Sequence, residues 1–106
     1  MKLYKLSDMK GGWFIGNFEP TVIQSPLFEV AYKNYSAGNR EAKHVHKVAT
    51  ELTVIAFGRV CMNGVEYSAG DIVVLEPGDV TDFEAIDDAA TVVVKLPSVA
   101  GDKYLV

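Results

Sequence analysis

Two histidines and a glutamate stand close enough in the sequence to act together on a metal ion. His44 and His46 are the only histidines of the chain, and one residue separates them. Residues i and i+2 of a β-strand point to the same face, so both imidazoles would project together. Glu51 follows at the head of an apolar run. Two neutral imidazoles and a carboxylate suit Zn, Fe, Mn, Ni or Cu and can leave coordination positions open.

The spacing around these three residues resembles the first motif of the cupin superfamily. From Gly38 to Gly58 the chain reads GNREAKHVHKVATELTVIAFG, with both glycines, both histidines and the glutamate at the spacing of that motif. The resemblance implies an all-β chain folded as a cupin-type jelly-roll β-barrel. It also implies a divalent transition metal, Fe, Mn, Ni or Zn, bound by His44, His46 and Glu51.

The second cupin motif is matched only in part, which leaves the fourth metal ligand open. Gly70-Asp71 and the turn Pro77-Gly78 stand where the family would place them. The third histidine of the family corresponds here to Thr81, a poor ligand for a transition metal. Asp79 or Asp82 could replace it, although both belong to an acidic group that could equally be a solvated rim. Without a fourth ligand, the set resembles the two-histidine, one-carboxylate arrangement of non-haem iron oxygenases.

Short strands separated by turns are predicted for most of the chain. Residues 27–35 alternate in polarity, and Asn63-Gly64 lies between two apolar runs, which is the signal of a two-residue hairpin. Turn signals at intervals of about 8–12 residues, without helical periodicity, indicate a β-sandwich or barrel. With 106 residues, the chain is predicted to form a single domain over 1–106, with its barrel core at about 28–96.

The strand predicted over 51–57 is nearly apolar on both faces. Alternation separates its side chains into two sets, Glu51, Thr53, Ile55 and Phe57 against Leu52, Val54 and Ala56. A strand needs two apolar faces only when both are covered. In a one-domain barrel the outer cover would be a second subunit, so we expect a homodimer.

Composition and charge narrow the classes of partner and compartment. The net charge is −4 and no basic cluster is present, which argues against nucleic acid and against anionic membranes as partners. Cys61 is the only cysteine, so no intramolecular disulfide can form. The opening residues lack the apolar segment of a signal peptide, and no apolar run approaches the length of a membrane helix. We therefore expect a cytoplasmic protein.

The resemblance leaves three functions open and assigns no catalytic residue. The first is a small metal-binding cupin whose ligand is a small molecule, carbohydrate-like or an organic acid, with the metal as Lewis acid or oxygen-activating centre if it catalyses. The second is a non-catalytic module that senses or sequesters a ligand. The third follows from the HVHK stretch, which resembles metal-free cupins that isomerise or epimerise nucleotide-linked keto sugars. There His44 or His46 would be the general base and Glu51 would be structural.

Other side chains could contact a ligand, although packing and surface roles are the first expectation for them. Five lie near the motif in sequence and could meet an anionic substrate: Tyr32, Tyr35, Arg40, Lys43 and Lys47. The aromatic group at 13–18 is predicted to close one end of the barrel or to pack on a partner, with an aromatic wall for a ligand as the alternative. Residues 98–106 show no periodic pattern.

Overall fold

Eleven strands arranged in two sheets form the chain in a computed structural model, which describes residues 1–106. The strands are β1 (Trp13–Gly16), β2 (Ile23–Gln24), β3 (Glu29–Tyr35), β4 (Arg40–Val45), β5 (Thr50–Phe57), β6 (Arg59–Met62), β7 (Val65–Ser68), β8 (Ile72–Leu75), β9 (Val80–Ala85), β10 (Ala89–Leu96) and β11 (Tyr104–Leu105). Two 3₁₀ helices, Leu6–Asp8 and Lys10–Gly12, precede β1. Neither has the length or the hydropathy that crossing a membrane would require.

Strands that follow one another in the sequence often belong to different sheets. The larger sheet has the order β2-β1-β3-β10-β5-β8, and the smaller one has the order β11-β4-β9-β6-β7. All neighbours are antiparallel except β1 and β2. The chain therefore passes repeatedly from one sheet to the other. The all-β prediction is confirmed.

Turn residues shape the β6–β7 hairpin and the connection from β5 to β6, which lie in different sheets. Asn63 and Gly64 have φ values of 51° and 77°, and they connect β6 to β7 as the predicted two-residue turn. Gly58, between β5 and β6, has φ 79°, and a Cβ added there would lie 2.3 Å from the carbonyl oxygen of Asp88. Only glycine fits both the conformation and the space at this position.

Apolar side chains fill one end of the space between the sheets. The core consists of Ile55, Val60, Met62, Leu75, Phe83, Ala85 and Ala89. The Tyr35 ring packs on Phe83 with 4.5 Å between ring centroids. Along β5, the inward positions change from Ile55 in this core to Thr53 and then to Glu51. The other end of the same space is therefore polar, and the candidate site lies there.

The outward face of the larger sheet is apolar over four strands, half-buried on three of them and exposed on β8. Pairing in register places eight side chains on this outer face: Val30 and Tyr32, Val94 and Val92, Leu52 and Val54, Val74 and Ile72. Ile72 is 63% exposed and Val74 is 49% exposed. The two apolar faces predicted for β5 are thus present. The prediction that Phe57 shares a face with Thr53 and Ile55 is wrong. The register shifts between Ala90 and Thr91, and the Phe57 ring is 51% exposed.

Candidate metal centre and ligand cavity

A cavity of about 130 Å³ opens between the two sheets at their polar end. His44 comes from β4, His46 follows directly after that strand, and Glu51 comes from β5 in the opposite sheet. All three side chains line the cavity and are buried, with 6%, 4% and 8% of their surfaces exposed. The structure therefore brings together the three residues that the sequence singled out.

Backbone carbonyl groups fix the tautomer of both histidines. The Nδ1 atom of His44 lies 2.8 Å from the carbonyl oxygen of Ala42, and Nδ1 of His46 contacts the carbonyl oxygen of Asp102. A carbonyl oxygen can only accept a hydrogen bond, so Nδ1 carries the proton in each neutral ring. The Nε2 atoms are then the basic nitrogens. Metal-binding histidines are held in this way, with the second nitrogen donating to a carbonyl or carboxylate.

The Nε2 atom of His46 faces Glu51 without completing a hydrogen bond. It lies 3.6 Å from Oε1 of Glu51 and has no hydrogen-bond partner although it is buried. The Glu51 carboxylate raises the pKa of His46, against the opposing effect of burial. Burial alone would raise the pKa of Glu51. Hydrogen bonding to His46 and the positive charge of His46 outweigh burial, so the pKa of Glu51 is lowered. A proton at Nε2 is therefore favoured at this point.

Asp102 holds the turn that carries His46. Its carboxylate is buried and accepts hydrogen bonds from the backbone amides of Lys47 at 2.9 Å, Val48 at 3.2 Å and Ala49 at 2.9 Å. Burial opposes ionisation of this carboxyl, yet the three amides prevail and lower the pKa of Asp102. One residue thus fixes the histidine ring with its carbonyl group and the following turn with its side chain. Sequence reasoning missed it, since residues 98–106 carry no pattern.

Several solved protein structures resemble this fold. No family model and no curated protein matches the sequence. Among solved structures, a conserved protein with a double-stranded β-helix domain from Klebsiella pneumoniae matches with a TM-score of 0.72 and 21% identity, over 98% of this chain and 90% of that chain. An RmlC-like cupin from Shewanella frigidimarina matches with a TM-score of 0.62 and 15% identity, over 74% of this chain and 72% of that chain. The chain has the cupin fold.

A third similar structure contains a metal. The bacterial pirin YhhW from Escherichia coli, in complex with nickel(II), matches this chain with a TM-score of 0.66 and 16% identity. The match covers 82% of this chain and 39% of that one. At these identities, the likeness between this chain and the three solved structures is one of fold.

The position of the third cupin histidine is buried but carries no ligand here. Thr81 lies opposite His44 in the β4–β9 ladder, and its hydroxyl donates to the carbonyl oxygen of Asp82 at 2.9 Å. The structure does not bring Asp79 or Asp82 to the cavity. Asp79 accepts from the amide of Glu76 at 2.9 Å, and Asp82 accepts from the amide of Asn63 at 2.7 Å. No group of three or more His, Cys, Asp or Glu side chains forms a ready-made coordination shell in this chain.

Lysines supply most of the remaining charge in the cavity. Lys33, Lys95 and Lys103 line it, together with the carboxylate of Glu41 and the indole of Trp13. Sequence reasoning did not single out these four charged residues, although Lys33 shares the inward face of β3 with Ala31. Trp13 had been predicted to close the barrel or to pack on a partner, with a ligand wall as the alternative. The structure places it on the wall of the cavity.

Of the five candidates near the motif, only Tyr35 lines the cavity. Burial, reinforced by the Glu41 carboxylate, raises the pKa of Tyr35 far above its ordinary value, so its hydroxyl stays protonated. Tyr32 points to the outer face. Arg40 pairs with Glu84 at 2.9 Å, and Lys47 lies 4.1 Å from the centre of the Tyr104 ring, so both serve surface contacts. Lys43 is exposed.

Proposed function

We propose that this chain binds a divalent transition metal, Fe, Mn, Ni or Zn, through Nε2 of His44, Nε2 of His46 and the carboxylate of Glu51. The metal would face a small organic ligand in the cavity. The observation that carries the proposal is the fixed tautomer of both histidines. Their Nδ1 protons are held by backbone carbonyl groups, so both basic nitrogens are left for a cation on the cavity side.

The donor set fits a metal by chemistry and, for one pair of donors, by distance. Two donor atoms bound to one metal at about 2.1 Å in a tetrahedral shell stand roughly 3.4 Å apart. Nε2 of His46 and Oε1 of Glu51 are 3.6 Å apart, and this nitrogen is otherwise buried without a partner. The ring centroids of His44 and His46 lie 5.1 Å apart. The nickel(II) complex of YhhW supports a metal in a cupin of similar fold.

The rest of the cavity would then determine what reaches the metal. A bound divalent ion would act as a Lewis acid on an oxygen atom of the ligand. The protonated Tyr35 hydroxyl and the three lysines offer donors to further oxygen atoms, and Trp13 offers an apolar face. This lining suits a small polar molecule, such as an organic acid or a carbohydrate-like compound.

Elemental analysis of protein purified without a histidine tag tests the metal directly. We expect about one metal ion per chain, which is lost in His44→Ala and Glu51→Gln. Glu84→Gln is the matched control, because Glu84 is paired with Arg40 at the surface and should leave the metal content unchanged. Wild-type protein that neither contains nor takes up Fe, Mn, Ni or Zn would refute the proposal.

A second candidate, metal-free proton transfer, is favoured by the raised pKa of His46. A histidine beside a carboxylate in a cavity can exchange a proton with a ligand, and here Glu51 would orient and charge the ring. Turnover of nucleotide-linked keto sugars by metal-free protein, abolished in His46→Gln, would support this candidate over the first. Ligand binding without turnover in any form would instead support a sensing or sequestering module.

We further propose that two copies of the chain pair through the outer face. Its eight apolar side chains include no charge, whereas a solvated sheet face normally alternates with polar residues. Light scattering at micromolar concentration should give a dimer that Val74→Lys dissociates. Val65→Lys is the control, because Val65 is equally exposed, at 50% against 49%, but lies on β7 of the other sheet. A wild-type monomer would refute this pairing.

A further inference from the structure

We propose that Lys33 and Lys95, gathered on the ring of Trp13, form a subsite for the carboxylate group of a small organic acid. The inference rests on the proposed ligand cavity, whose ligand class it specifies, but it does not depend on a bound metal. The subsite would hold one end of the ligand while the other end faces His44, His46 and Glu51.

Sheet register brings the two lysines to the same wall. Lys33 on β3 and Lys95 on β10 both point inward. The ladder pair that contains the small residue Ala31 lies between the pair of Lys33 and the pair of Lys95. β1 pairs Trp13 with Ala31, so the indole covers the gap that this alanine leaves. The Nζ atoms lie 5.3 Å and 5.0 Å from the centre of the Trp13 ring. Both distances are within the range in which an aromatic face attracts a cation.

Neither ammonium group has a close anionic partner in the chain. Lys33 pairs with Glu41 only at the long distance of 4.0 Å, and Lys95 forms no ion pair, although Glu29 and Glu51 lie opposite it in the two ladders. The Lys33 side chain is only 23% exposed, and burying an ammonium group without a close anion is unfavourable. Burial lowers the pKa of Lys33 and outweighs the opposing charge of Glu41, while the charges of Lys103 and Lys95 lower it further. An anion placed between Lys33 and Lys95 would relieve both effects.

A buried hydroxyl without a partner also points to a ligand in this part of the cavity. Thr91 lies directly opposite Lys33 in the β3–β10 ladder and lines the cavity. It is fully buried, and its Oγ1 completes no hydrogen bond in the resting geometry, although the Tyr35 hydroxyl lies near it. Buried polar atoms are normally satisfied, so this hydroxyl beside the weakly paired ammonium group of Lys33 leaves room for a further polar partner. A carboxylate oxygen could accept from both.

The charge balance of the lining favours a carboxylate over a phosphate. Three lysines and the carboxylates of Glu41 and Glu51 line the cavity, and Glu29 lies opposite Lys95 on the same face of the β3–β10 ladder. This balance leaves little positive charge for a ligand to neutralise, and a carboxylate brings only one negative charge. A phosphate monoester would bring nearly two negative charges into a cavity of about 130 Å³ that already contains two carboxylates.

Trp13 allows a direct test, because it is the only tryptophan of the chain. Protein stripped of metal with EDTA would be titrated with glycolate, with ethylene glycol as the neutral counterpart and with inorganic phosphate at the same ionic strength. Trp13 fluorescence and calorimetry would both be recorded. We expect a saturable response to glycolate, none to ethylene glycol, and a weaker one to phosphate.

Two charge-removing variants and a matched control complete the experiment. Lys33→Met and Lys95→Met should each weaken glycolate binding about tenfold or more, since each removes one charge-assisted hydrogen bond. Lys43→Met removes an exposed lysine outside the cavity and should bind like the wild type. Thermal melting checks that each variant is folded, and either lysine variant alone suffices for the comparison.

Three results would overturn the subsite. They are the absence of a saturable glycolate response by either method, binding of phosphate at least as tight as that of glycolate, and binding that appears only after metal is added. The last would place the carboxylate on the metal. Metal uptake measured on the same preparations separates the two proposals, because Lys33→Met should load metal normally even if no carboxylate binds.

Discussion

Replacing Asp102 by alanine should loosen the turn at 47–49 and the histidine that precedes it. In the folded chain, the Asp102 carboxylate accepts from three consecutive amides at 2.9–3.2 Å, and only 7% of the residue is exposed. Alanine keeps the carbonyl group that contacts His46 but removes every acceptor of the three amides. The main consequence should therefore be lost stability, with weaker metal binding as the second effect.

The expected loss can be derived from the geometry. The amides of Lys47 and Ala49 each make a full bond at 2.9 Å, while that of Val48 is shared between the two carboxylate oxygens at 3.2 Å. A hydrogen bond to a charged acceptor contributes about 1.5 kcal/mol or more. In the alanine variant, water can reach the exposed part of the turn and hydrogen-bond to some of the freed amides, which offsets part of the lost free energy. We therefore expect a loss of about 2–3 kcal/mol in the free energy of unfolding, or a melting temperature lower by roughly 8–15 °C.

Urea unfolding at several pH values measures this loss. Asp88→Ala is the control, because exposed Asp88 accepts a single amide, that of Ala37 at 2.8 Å, and should lose under about 1 kcal/mol. The pKa of Asp102 is lowered in the folded chain, so its contribution is complete above the unfolded value of about 3.9 and is lost as the pH falls through the folded value. Equal losses in both variants at pH 7, or a gap that does not narrow in acid, would refute the reasoning.

Three further predictions concern single positions. Gly58→Ala should cost about 3 kcal/mol or more in unfolding free energy, whereas Gly70→Ala, with φ 95° but open surroundings, should cost about 1 kcal/mol. Ile55→Ala, at a core position that is 1% exposed, should cost about 3–4 kcal/mol by denaturant unfolding. In metal-free protein, Glu51→Gln should lower the pKa of His46 as followed by NMR. The stability that this pair contributes to the metal-free chain is present below pH about 6.5 and is lost as the pH rises through the raised folded value.

Each of these has a distinct contrary result. Equal costs at Gly58 and Gly70 would mean that the close approach to the neighbouring carbonyl is relieved by a small shift of the backbone. A loss below about 1 kcal/mol in Ile55→Ala would mean that the core collapses around the smaller side chain. A pKa of His46 that Glu51→Gln leaves unchanged would mean that the carboxylate does not act on Nε2.

The part of the site encoded by local spacing could be read from the sequence. His44 and His46 share a face because alternation requires it, and Glu51 meets them because the motif spacing places it on the strand of the opposite sheet. The hairpin at Asn63-Gly64 was equally accessible, since its turn type needs positive φ at both residues. Short-range geometry determines all of these.

The parts that depend on long-range packing could not be read in the same way. Lys95 and Lys33 meet only because β10 inserts between β3 and β5, which no spacing encodes. Asp79 and Asp82 seemed able to reach the cavity, but nearby backbone amides already bind their carboxylates in the adjoining turns. A buried acidic residue in a segment without pattern, such as Asp102, gives no sequence signal until its three amide partners are known.

The carboxylate of Asp102 also bears on how quickly a metal ion could leave the chain. If a metal ion binds as proposed, detachment of Asp102 from the turn is one local motion that would loosen its site. That step would free the ring of His46 and expose the amides of Lys47, Val48 and Ala49 together, without unfolding either sheet. Metal release and hydrogen exchange at these amides would then share one local opening rate, separate from that of global unfolding.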